Sequence, residues 1–211
     1  MKFLRRFLKQ FDISNNSKVT FDNPRPDQQK LFIPLGQLTL FDDFLKIENY
    51  PFKPSIAYKQ NIFKSAEMDD IDFRSYPPNF RIENELIFLP KSQNNEIELF
   101  AKRNTIKTVQ RPPIWSWLLE PFLDTEYTQG TDQKLMENLS EYGLSVDQIS
   151  LLRAEVESQM LQYNFDTMLW EWVSFDTSDV LRAMRPKYKK NEFESFYKRV
   201  MKVALLTKQT D

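Results

Sequence analysis

Apolar residues open the chain at spacings of three and four: Phe3, Leu4, Phe7, Leu8 and Phe11 share one face of a predicted helix, which Asp12 and Ser14 end. Lys2, Arg5, Arg6 and Lys9 occupy the other positions. The segment therefore reads as an amphipathic helix docked on the core, with a basic helix lying on a membrane surface as the alternative. Residues 36–48 predict a second helix, with Leu38, Phe41, Leu45 and Phe44 facing inward. Residues 80–89 and 96–102 predict a hairpin across residues 91–95, and residues 105–110 a third strand. Ten of the twelve prolines fall between Pro24 and Pro113, so short elements and extended connections are expected there.

Beyond Arg111, Pro112 and Pro113 the punctuation becomes helical, which sets an expected boundary between a Pro-rich mixed subdomain at 1–110 and a helical subdomain at 111–211. Thr131 or Asp132 starts a helix that Gly143 terminates. Ser145 and Gln148 make a capping box for the next, whose Ile149, Leu152, Val156 and Met160 keep helical spacing. Asn191 and Glu194 repeat the device ahead of Phe193, Phe196, Val200 and Ala204. The expected class is α+β: a small antiparallel sheet first, helices after it.

The stretch Trp115-Ser-Trp-Leu-Leu-Glu-Pro-Phe-Leu-Asp-Thr-Glu126, followed by residues 143–149 and 169–176, resembles an uncharacterised family of small helical bacterial proteins. In that family an aromatic-rich helix ends in Phe-Leu-Asp-Thr-Glu and two or three further helices follow. The resemblance covers roughly residues 114–184 and implies a helical bacterial module without implying any chemistry. Pro121 departs from the helix expected there and suggests a kink or a new start at Glu120.

Composition narrows the chemistry. The chain has no Cys and no His, which removes disulfides, thiolate nucleophiles, imidazole-based triads and the usual zinc ligand sets. Its three glycines, Gly36, Gly130 and Gly143, are too scattered for a phosphate-cradling loop. No uninterrupted apolar run resembles a secretory signal or a membrane span, so the expectation is a cytoplasmic protein. Neither a cofactor nor a resident metal is expected. Glu67, Asp69, Asp70 and Asp72 resemble a calcium loop only superficially, because the turn glycine and distal glutamate are missing, and they read as a solvated acidic loop.

Charge is segregated. Residues 119–181 carry 13 acidic against 2 basic side chains, whereas residues 182–208 carry 9 basic against 2 acidic, although the whole chain nets only -1. An acidic helical middle between basic flanks repels phosphates, so nucleic acid is not an expected partner. Two accounts of the acidic stretch compete: its own basic C-terminal segment packs against it or all these charges are simply solvated, or a basic protein partner docks on it. The leading expectation is a non-catalytic protein-binding protein, such as an immunity-type inhibitor of a bacterial toxin. The candidate contact residues are Glu120, Asp124, Glu126, Glu137, Glu141, Glu155 and Glu171, with Trp117 and Trp172 as anchors.

The competing reading is an enzyme holding magnesium or calcium. Ser116, Glu120 and Asp124 form one polar stripe, and Asn164, Thr167, Glu171, Ser174 and Ser178 another. If the two face each other, Glu120, Asp124 and Glu171 make a carboxylate cluster. A membrane-surface adaptor anchored by residues 1–11 is the third reading.

Overall fold

The computed structural model describes residues 34–123, 128–167 and 174–209, with the side chains of residues 165–167 left aside. The helix expected at residues 1–11 lies outside them. Two three-stranded antiparallel sheets make the first half. One is β1 (Gln37–Leu40), β2 (Phe44–Glu48) and β3 (Ile62–Lys64), with the short helix α1 (Ile56–Lys59) between β2 and β3. The other is β4 (Asp70–Asp72), β5 (Asn79–Ile82) and β6 (Glu85–Phe88), after which helix α2 (Asn94–Arg103) follows. The second half is helical: α3 (Ile114–Leu119), α4 (Gln129–Glu141), α5 (Val146–Thr167), α6 (Thr177–Met184) and α7 (Lys190–Ala204). The class is α+β, as the sequence suggests.

Three local expectations are corrected. Residues 36–48 form the β1–β2 hairpin, not a helix. Leu38 pairs with Ile47 and Leu40 with Leu45, and Asp42 and Asp43 lie in the turn that the Phe41 N–H closes on the Phe44 carbonyl at 2.9 Å. Leu38, Leu45 and Ile47 are buried, whereas Phe41 is 41 % exposed and stacks on Phe44, so the period of two wins over the helical spacing. Gly36 has φ +91°, and a Cβ there would stand 2.6 Å from the Glu48 carbonyl oxygen. Only glycine fits that entry.

The second hairpin closes inside residues 80–89, at Glu83 and Asn84, while residues 94–103 are helical. Ile97, Phe100 and Ala101 are buried at spacings of three and one and Leu99 points outward, the signature of a helix with one inward face. Residues 105–110, expected as a third strand, form no strand and touch β4 through one isolated parallel bridge between Ile71 and Thr108.

The acidic loop is solvated at Glu67 and Asp69 but not at Asp70 and Asp72. Asp70 is 5 % exposed and Asp72 fully buried, both within β4. Unpaired carboxylates cannot stay there, because desolvation of a lone charge is prohibitive. Asp70 forms ion pairs with Arg111 and, at 2.9 Å, with Arg81. The Asp72 carboxylate accepts from the backbone N–H groups of Arg74, Ser75 and Arg111 at 3.1, 3.0 and 2.8 Å. Arg111 also donates to Asn79 at 2.9 Å. Burial pushes its guanidinium below its usual value, and the neighbouring Asp70 and Asp72 oppose that shift.

This clamp fixes the crossover into the helical half against the second sheet. The apolar core continues across it, from Leu45, Phe63 and Phe80 through Trp115 and Leu119 to Phe175, Phe196 and Val200. Polar ties reinforce it: the Trp115 indole donates to the Val200 carbonyl at 3.1 Å, and the Tyr197 hydroxyl to Glu85 at 2.7 Å. Glu85 also accepts from Ser55 Oγ and, at 3.2 Å, from the Ile56 N–H, so one carboxylate holds α1, β6 and α7.

Replacing one partner of a buried ion pair strands the other charge, which typically costs about 3–5 kcal/mol. Asp70→Ala is therefore expected to lower the urea-unfolding free energy by about that much, leaving Arg111 uncompensated. Asp42→Ala, which removes the exposed partner of Arg103, is expected to leave the urea midpoint almost unmoved.

Candidate functional site

The acidic stretch lies mainly on α4 and α5, which form a helical hairpin. Thr128 caps α4 by accepting the Thr131 N–H at 3.1 Å, and Leu135 and Leu139 face inward. Gly143, at φ +81°, ends it as the sequence requires. Ser145 and Gln148 then form the expected capping box, with bonds of 2.8 and 3.3 Å. On α5, Ile149, Val156, Met160 and Tyr163 are buried and Leu152 packs partly against them. Asp147, Leu151, Ala154 and Ser158 recur at spacings of four and three and are exposed, so they form the outer stripe.

Two large apolar side chains of α5 are exposed, Leu151 at 71 % on that outer stripe and Val146 at 64 % at the start of the helix. The sequence reading missed both, although a signal existed. Leu151 and Leu152 are adjacent, and adjacent helical residues point about 100° apart, so both cannot face one core.

The nominated residues divide into three groups. Asp124, Glu126, Glu171 and Trp172 lie outside the described residues. Glu141 and Glu155 are met by the chain's own basic segment: Glu141 pairs with Lys208 at 2.9 Å, while the Glu155 carboxylate binds Arg199 and accepts from the Tyr188 hydroxyl at 2.8 Å. Lys187 adds a bond to the Glu155 carbonyl at 2.8 Å. Burial and the Glu155 carboxylate push the Tyr188 phenol up to about 12. At these two positions the basic tail neutralises the acidic helices.

Glu120 and Glu137 form the third group with Trp117. Glu137 is exposed on α4 and accepts from Gln133 at 3.1 Å, one turn earlier. Glu120 sits half-buried in the turn after α3, where desolvation raises its carboxyl above the ordinary value. Pro121 lies in that turn, which ends α3 where a helix break was expected. Trp115 is buried and Trp117 half-buried against the Tyr142 ring at 5.7 Å, so the pair splits between core and rim.

Where they are described, members of the two polar stripes make structural bonds to groups outside the stripes. Ser116 Oγ donates to the Phe175 carbonyl at 2.6 Å, and Asn164 Nδ2 to the Phe122 carbonyl at 3.0 Å. Ser178, fully buried, accepts from Arg182 at 3.0 Å. Among the described residues, no group of three or more acidic side chains is placed to hold a metal ion. None of the described helices is long and apolar enough to cross a membrane.

Two further acids of the stretch serve α6. The Asp176 carboxylate accepts from the Ser178 and Asp179 N–H groups at 2.5 and 3.4 Å, and Asp179 accepts in return from the Asp176 N–H at 3.1 Å. Asp179 also accepts from the Tyr163 hydroxyl at 3.0 Å and from Arg182 at 3.2 Å. Burial and the adjacent Asp179 hold the Asp176 carboxyl well above the usual range, with Ser178 and Arg182 opposing.

The model of a family described as a domain of unknown function, DUF7079, matches residues 109–210, which is the helical half together with the end of the crossover. That half is similar to an uncharacterised family. Comparison with curated proteins and with solved structures found no match.

A carboxyl raised in the folded state stabilises the fold most below its unfolded value of about 4 and loses that contribution as pH rises through the folded value. Wild-type stability is therefore expected to fall as pH climbs from about 4, whereas Asp176→Asn, whose amide keeps the cap, flattens that slope. Chemical denaturation of both proteins from pH 4 to pH 8 measures it.

Proposed function

We propose that this chain is a non-catalytic protein-binding protein, and that its docking face is the outer side of the α4–α5 hairpin. The observation that supports this reading is the exposed Leu151 on the same outer stripe of α5 as the exposed acid Asp147, with the exposed Glu137 on the neighbouring helix α4. Among the described residues neither acid makes an ion pair. An apolar anchor on the stripe of an acid that makes no ion pair suits a partner that presents an apolar contact beside a cation. The docking face is narrower than the full acidic stretch, because Glu141 and Glu155 are already engaged by Lys208, Arg199 and Tyr188.

An immunity-type inhibitor of a bacterial toxin is the specific form of this reading. A single-sign patch accelerates encounter with a basic partner, and the buried anchor then sets the lifetime of the complex. The absence of Cys and His supports a holding role over a transforming one.

The test is affinity capture from native lysate, comparing the wild type with Leu151→Lys and Asp147→Lys at low and high salt. A partner identified by mass spectrometry and then purified is expected to bind each variant at least about tenfold more weakly, which is the effect of losing about 1.4 kcal/mol. Its affinity for the wild type is expected to fall with added salt. Equal affinity for all three proteins contradicts the proposed face.

A further inference from the structure

A groove of about 860 Å³ runs along α7, with that helix and the chain just beyond it on one side and the β5–β6 turn and the start of α1 on the other. Its floor is apolar. Tyr197 and Met201 are buried there, and Ile56, Ile82, Leu205 and Leu206 are half-buried around them. Tyr197, Met201 and Leu205 recur every four residues, and the Leu205 N–H still bonds the Met201 carbonyl at 3.0 Å, so the three make one continuous row.

A row of cations runs beside it. Lys198 and Lys202 also line the groove, and their spacing of four sets them one helical turn apart on the same face. Lys202 is exposed and makes no ion pair among the described residues. Lys198 holds Glu194 at 3.0 Å, but both side chains are more than half exposed, so other anions compete for that ammonium. Two acids complete the lining. Glu85 is committed to Ser55, Ile56 and Tyr197, whereas Glu83 stands exposed on the opposite wall, at the β5–β6 turn. An anion entering the groove is therefore drawn to the α7 side and repelled from the other.

We propose that this groove binds a free fatty acid. Its carboxylate lies between the Lys198 and Lys202 ammoniums, and its chain runs over Met201, Leu205 and Ile82. The pairing follows from the two adjacent rows on α7, since a carboxylate with an apolar tail needs cations directly alongside an apolar floor. An extended peptide fits less well, because its backbone donors and acceptors would find no partners on that floor, whereas a hydrocarbon chain has none to satisfy. The volume falls within the range of small-molecule pockets, about 300–1,000 Å³. The head stays at the wet rim, so most of the affinity comes from taking the chain out of water. This groove is separate from the outer face of α5, and neither site depends on the other.

The experiment is isothermal titration of the 211-residue chain with octanoate, decanoate and dodecanoate below their micelle concentrations. Dodecanoate is expected to bind with a dissociation constant near or below about 100 μM, and each shortening of the chain by two CH₂ groups to weaken binding about tenfold. Decanol, which lacks the charge, is expected to bind about tenfold more weakly than decanoate. Lys202→Glu is expected to cause a similar loss with an unchanged circular dichroism spectrum, because Lys202 is exposed and pairs with nothing in the fold. Asp147→Lys, on the other face, should leave the affinity as it is. Failure of all three acids to bind overturns the proposal, and so does an affinity indifferent to chain length or to Lys202→Glu. Protein that floats with phosphatidylglycerol vesicles yet ignores monomeric dodecanoate makes a membrane surface the occupant and overturns it equally.

Discussion

A carboxylate taken out of water must find a cation or several donors, and in this chain that requirement decides where most of the acidic residues go. Asp70 takes Arg111 and Arg81, while Asp72 takes three backbone donors. Glu85 takes Ser55, Ile56 and Tyr197, Asp179 takes Tyr163 and Arg182, and Glu155 takes Arg199 and Tyr188. Each of these knots joins segments distant in sequence, so the satisfied acids define the packing of sheets on helices. The unsatisfied ones define the outer surface.

That division changes the meaning of the charge segregation. Thirteen acids between residues 119 and 181 look like one face, but helical geometry and burial separate them. Asp176 and Asp179 turn inward as the α6 cap, Glu141 and Glu155 are met by the basic C-terminal segment, and Glu137 and Asp147 remain outside. The basic segment is thus part of the fold at some positions, and the proposed docking face is what it leaves uncovered.

Helical punctuation in the second half was legible because it is local. Gly143, the Ser145–Gln148 box and the inward residues of α5 and α7 follow from spacing and capping alone. The box expected at Asn191 and Glu194 is not formed before α7; there the Glu192 carboxylate accepts the Lys189 N–H at 2.9 Å, which is half of such a device. The first half was less legible. Leu38, Phe41 and Leu45 fit a helix as well as Leu38, Leu45 and Ile47 fit a hairpin, and the contact that decides between them, β2 with β3, comes from residues 62–64. Asp70 and Asp72 looked solvated because their partner, Arg111, stands about forty residues away. The exposed Leu151 could have been found from its neighbour Leu152; the groove along α7 could not, because its walls come from both halves.

Carbodiimide labelling of the native protein, read residue by residue by mass spectrometry, tests this allotment of acids most directly. Glu137 and Asp147 should react fast, while Asp70, Asp72, Asp179 and Glu155 should stay protected until the protein unfolds. If Glu155 and Asp70 reacted as readily as Asp147 in the folded state, the acidic residues would not be divided as described, and the proposed docking face would lose its basis.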